Sequence, residues 1–109
     1  MEGDIESRGP RDPVSMLNIL EPRKMLFYIP YFQSLKDNQS LRGKITVRIF
    51  VEPSGKVSAA EVVSSELADR LLEKRILEQA KQIDFLPQFV RRSTLEYTFD
   101  FFRPFDAAR

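Results

Sequence analysis

A run of twenty-three residues, Gly43 to Ser65 (GKITVRIFVEPSGKVSAAEVVSS), constrains the fold more than any other part of the chain. Ile45, Val47, Ile49 and Val51 recur at a spacing of two, with Lys44, Thr46 and Arg48 between them, so one face of an extended strand is apolar and the other wet. Glu52-Pro53-Ser54-Gly55 follows, with a proline that presets φ for a turn's second residue and a glycine able to take positive φ. A second strand then starts near Val57. The segment therefore predicts a β-hairpin whose turn sets its register, with a phase slip between Val57 and the pair Ala60 and Val62 that fits a β-bulge.

A helix should follow. Asp69 is an N-cap candidate, since its carboxylate can accept from amides two or three residues on. Leu72, Ile76, Ala80 and Ile83 then form one apolar stripe, with Leu77 beside it and Arg70, Glu73, Lys74, Glu78 and Lys81 left to water. Pro87 is expected to end this helix, because the residue before a proline avoids helical geometry. Ser93 to Phe102 alternates again, with Leu95, Tyr97, Phe99 and Phe101 on one side and Thr94, Glu96, Thr98 and Asp100 on the other, before Pro104 stops it. The phase of Tyr97 and Phe99 matches Leu95, which marks both as core residues.

Residues 1–14 hold Gly3, Gly9, Pro10, Pro13 and six charges with little apolar content, and are expected to form a disordered tail. Residues 15–27 read as an N-terminal extension, 28–104 as the domain and 105–109 as a tail. Pro22 and Pro30 interrupt the apolar stretch from Val14 to Leu35, at about 3 kcal/mol for a proline inside a helix. The expectation is thus two short pieces, Val14 to Leu20 and a helix with Pro30 in its first turn that runs to about Lys36.

The assembled prediction is an α+β fold: a three-stranded antiparallel sheet with two helices packed on one face, in chain order αββαβ. A helical crossover from the second strand makes the third parallel to it, which places the third beside the first and gives the order 2-1-3. The last strand is then an edge, and an edge rich in Phe and Tyr offers unpaired backbone groups to an extended peptide. The plainer expectation is that the N-terminal segment or a second copy covers it.

The chain has no cysteine and no histidine, which removes the usual zinc and iron ligand sets, thiol chemistry and histidine-based triads, so no catalytic site and no cofactor is expected. Glu52, Glu61 and Glu66 do not converge on a carboxylate pair. A net charge of +1 does not suit a polyanion, so no nucleic acid is expected; an RNA-binding sheet using Lys44, Arg48 and Phe50 lacks the basic-glycine-aromatic signature. No stretch approaches the roughly 18 apolar residues of a membrane span, and the first residues lack a signal peptide's pattern. The chain therefore reads as cytosolic or as a soluble part of a longer exported protein.

Gly43 and the alternating run after it, Pro53-Ser54-Gly55-Lys56-Val57, Val62-Val63-Ser64-Ser65, the helix with Glu73 and Ile76, Asp84-Phe85 and the final aromatic strand resemble the TonB-like C-terminal domain. Leu35 to Lys44 and Asp69 to Ile76 are similar to the branch seen in the gliding-motility proteins AgmX and PglI. That branch often carries a cysteine pair where Pro30 and Arg75 stand here, and an aromatic residue where Ile83 and Asp84 stand. The resemblance implies a periplasmic module of a protein anchored in the inner membrane through a segment outside this sequence, which grips an extended peptide of an outer-membrane or envelope partner and couples inner-membrane energy to it. It maps the peptide to Thr94, Leu95, Glu96, Tyr97, Thr98, Phe99, Asp100 and Phe101. A homodimeric scaffold of an envelope complex is the alternative. Arg91 and Arg92, just before this strand, are candidates for an anionic contact such as peptidoglycan or lipid head groups, against the plainer reading of a solvated turn.

Overall fold

The turn at Glu52 to Gly55 forms as its residues require: Gly55 N–H donates to the Glu52 carbonyl at 2.8 Å, and Gly55 takes φ +93°. Around it, the computed structural model describes residues 8–101 and runs α1 (Pro13–Leu20), a 3₁₀ turn (Glu21–Arg23), α2 (Met25–Leu35), β1 (Gly43–Val51), β2 (Val57–Ser65), α3 (Arg70–Ala80) and β3 (Ser93–Phe101). The three strands form one antiparallel sheet in the order β2-β1-β3, an α+β fold with the central strand and the edge expected from the sequence. The tail expected at 105–109 lies outside the described residues, as does the first half of that expected at 1–14.

The hairpin register slips twice. Phe50 faces Ala59 and Val51 faces Val57, so Ser58 is one extra residue; Thr46 faces Ser64 and Val47 faces Val62, so Val63 is another. The first slip is the bulge that the phase of Val57 and Ala60 announces. The second lets Ser65 reach Ile45 and turns Val63 out to solvent.

Ile45, Val47, Ile49 and Val51 are fully buried, as are Phe99 and Phe101, and they share one core with Leu72, Ile76 and Ala80 of α3 and with Met16, Leu20, Phe27 and Tyr31. Asp69 caps α3 as expected, its Oδ1 accepting from Leu72 N–H at 3.0 Å. Helix α3 ends at Ala80, well before Pro87, and the chain then turns so that Ile83 and Phe85 enter the core.

The short piece expected at Val14 to Leu20 is α1, but the next helix starts at Met25, so Pro30 lies inside α2, not at its start. Packing decides this. Phe27 stacks on Phe99 with centroids 4.4 Å apart, Tyr31 stacks on Phe101 at 4.7 Å, and Tyr28 meets Phe101 edge-on at 5.0 Å. Burying rings such as Phe27 and Tyr31 stabilises the fold by about 1.5–3 kcal/mol each, enough to offset a proline penalty of about 3 kcal/mol. Pro22 falls at the start of the 3₁₀ turn, where its missing N–H costs nothing.

Residues 8–14 are no tail. Asp12 caps α1, and Arg11 is only 2% exposed. The Arg11 guanidinium donates to the carbonyls of Glu52 (3.0 Å), Pro53 (3.2 Å), Phe85 (3.3 Å) and Leu86 (2.8 Å), while its backbone N–H donates to Ser93 Oγ at 2.9 Å. One side chain thus ties the hairpin turn to the loop that precedes β3. Burial lowers the guanidinium's pKa from its ordinary value and the Asp84 carboxylate offsets part of that, so the group remains charged.

Candidate peptide-binding edge

The candidate site is the side of β3 that faces away from β1. Which residues supply it follows from one pair of bonds. The Lys44 carbonyl accepts from Glu66 N–H at 2.8 Å, and Lys44 N–H donates to Glu66 Oε1 at 2.9 Å, so the Lys44 backbone points away from β3. Its partner Asp100 is therefore a non-hydrogen-bonded position, and by the two-residue repeat of an antiparallel ladder so are Thr98, Glu96 and Thr94. These four residues turn their N–H and C=O groups outward. Leu95, Tyr97, Phe99 and Phe101 turn theirs to β1, and all but the half-buried Tyr97 have buried side chains.

The eight positions mapped to a peptide thus divide by parity, and four of them cannot offer backbone groups. The division has a physical basis: each strand residue sends both backbone groups to one side, so an edge strand presents the backbone of alternate residues only.

Among the described residues, the outward groups of Thr94, Glu96 and Thr98 carry no hydrogen bond, and the edge is capped only at its ends. Tyr28 Oη–H donates to the Asp100 carbonyl at 3.4 Å, a weak bond by length. Near the other end, Arg91 N–H donates to the Gly9 carbonyl at 2.9 Å, before the strand begins. Among the described residues, the N-terminal segment therefore reaches the start of β3 and does not pair with its middle.

Side chains on the wet face of the sheet fix the strand's position. Thr46 and Thr98 share a hydroxyl hydrogen bond of 2.7 Å. Arg48 on β1 reaches Glu61 on β2 at 2.6 Å and Glu96 on β3 at 2.8 Å, bridging all three strands. The hydrogen bond to Glu96, then that to Glu61, raises the Arg48 pKa from its ordinary value. Such exposed pairs stabilise little, and their role is alignment. On the other face, Tyr97 Oη–H donates to Glu21 at 2.7 Å; burial, with that acceptor's charge, pushes the phenol up to about 12.

Arg91 and Arg92 part company in the structure. Arg92 binds Glu52 at 3.0 Å and lies 5.1 Å over the Phe50 ring, so it is engaged within the fold. Arg91 is exposed, and its side chain makes no ion pair among the described residues. Sequence reading missed Arg11 altogether, since a basic residue beside Pro10 in a polar run gives no sign of burial. Comparison with protein-family models, with curated proteins and with solved structures finds no match.

Proposed function

We propose that this domain binds an extended peptide by β-strand addition along the outer edge of β3. The observation that carries the reading is the row of outward backbone groups at Thr94, Glu96 and Thr98 with no hydrogen-bond partner among the described residues. The ordered resemblance to TonB-like C-terminal domains supplies the partner class, a segment of an outer-membrane or envelope protein, and the setting, a periplasmic module that transmits inner-membrane energy. Main-chain pairing gives affinity in such a complex and alternate side chains give specificity.

The test is an amide-shift titration of isotope-labelled protein with extended peptides of about ten residues. Shifts clustered at Thr94, Glu96 and Thr98 are expected, and their absence at saturating peptide refutes strand addition. A second reading, a homodimeric scaffold, draws on Met25, Ile29 and Phe32, which share the exposed side of α2 opposite buried Phe27 and Tyr31. Sedimentation showing a monomer throughout the micromolar range refutes that one.

A further inference from the structure

Helix α2 and strand β3 run side by side in the same direction. Phe27 stacks on Phe99 and Tyr31 on Phe101, so four residues of helix, about 6 Å of rise, keep step with two residues of strand, about 6.6 Å. On that scale Met25 lies level with Thr98, Tyr28 between Phe99 and Asp100, and Phe32 just past Phe101.

The two flanks of α2 differ. Helix α3 packs against α2 and β2, so it occupies the flank that faces the far side of the sheet. Tyr28 marks the other flank, because its hydroxyl donates to the Asp100 carbonyl, one of the groups that point out from the edge. Successive helix residues turn by about 100°, which sets Phe32 and Met25 within about 60° of Tyr28 on that same side. Met25 is 64% exposed, Phe32 38%, and Tyr28 is half-buried. Below them Tyr97 is half-buried, unlike the other core-face residues of β3.

A strand added to β3 lies about 4.8 Å beyond it, and a helix with its side chains reaches about 5–6 Å from its axis. The added strand therefore runs beneath the outer flank of α2, within the helix's own width. Residues directly opposed across a ladder put their side chains on the same face. Those opposite Tyr97, Phe99 and Phe101 are turned toward α2, and those opposite Thr94, Glu96 and Thr98 lie on the wet face.

We infer that the peptide taken by this edge alternates, with apolar side chains opposite Tyr97, Phe99 and Phe101 that bury under Met25, Tyr28 and Phe32, and polar side chains between them. The inference rests on strand addition at β3 and adds what the added strand must carry. Main-chain pairing is nearly blind to sequence, and the flank of α2 supplies the selection.

Two lysine-flanked peptides of one composition test this, the first alternating valine and threonine, the second ordered Val-Val-Thr-Thr. Every valine of the first can share one face, whereas no register of the second places more than half of them there. Isotope-labelled protein is titrated with each. The alternating peptide should bind about tenfold more tightly, with nuclear Overhauser contacts from its valine methyls to the Met25 methyl and the Tyr28 ring. Met25→Gln/Phe32→Gln should remove the preference while amide shifts at Thr94, Glu96 and Thr98 persist, and Leu71→Gln on the exposed side of α3 should change nothing. Shifts at those three residues with equal affinity for both peptides overturn the inference and leave strand addition standing; no shift there with either peptide overturns both. Should the double variant fail to fold, the peptide pair and the methyl contacts in the wild type decide the matter alone. A wild-type dimer that the double variant converts to a monomer gives the flank to a second copy and likewise overturns the inference.

Discussion

Replacing Arg11 with methionine keeps a long, flexible side chain and removes the charge and all five donors. The side chain now serves four carbonyls, but Nη2 carries two hydrogens and faces three of them, so about two full charge-assisted bonds is a fair count. At about 1.5–3 kcal/mol each the gross loss is about 3–6 kcal/mol. The methionine variant is also spared the desolvation of a buried guanidinium, which returns part of that. A net loss of about 3 kcal/mol is expected, a large share of the roughly 5–14 kcal/mol available to a domain of this size. With a urea m-value of about 1.5 kcal/mol/M, the midpoint should fall by about 2 M. Arg11→Lys keeps the charge but loses the planar fork that spans two loops, and should fall between. Hydrogen exchange supplies the local readout: the amides of Phe85 and Gln88, which bond to the hairpin turn, should lose more protection than those of Ile49 in the central strand. A midpoint within about 0.3 M of wild type refutes the claim that Arg11 locks the two loops together.

Three further outcomes follow from the geometry. Thr98→Pro removes an outward N–H that pairs with nothing in β1, so the variant should fold, judged by circular dichroism, yet lose peptide binding; Tyr97→Pro removes a ladder bond and should unfold. Unchanged peptide affinity in folded Thr98→Pro would rule out pairing there. Gly55→Ala puts a Cβ 2.6 Å from the Leu86 carbonyl oxygen at φ +93°, and should cost at least about 2 kcal/mol in chemical denaturation. Ultraviolet titration should show Tyr97 ionising near 12, an absorbance change that Tyr97→Phe removes and Glu21→Gln moves down. Because the folded phenol's pKa is raised from 10.0, its contribution to stability is complete below pH 10 and is lost as pH rises to about 12.

The elements that sequence reading located are those whose signals are local. The Pro53 to Gly55 turn, the alternation of β1 and β3, the Asp69 cap and the stripe from Leu72 to Ile83 each lie within one window of the chain, and the strand order followed from the handed, short connections between them. Pro30 shows the limit of local rules, because rings it shares a helix with bury against Phe99 and Phe101 some seventy residues on. The end of α3 shows it too: Pro87 marks where a helix must have stopped, and burial of Ile83 and Phe85 made it stop sooner.

By itself the sequence determined an α+β chain with a central first strand and an aromatic strand at its edge, since side-chain period and turn chemistry are properties of neighbouring residues. Tertiary structure alone decided two things. Parity against β1 chose Thr94, Glu96, Thr98 and Asp100 as the outward half of that edge. Four carbonyls in two distant loops made Arg11 a buried tie rather than part of a tail, because a charged side chain is worth burying only where the folded chain has gathered acceptors around it.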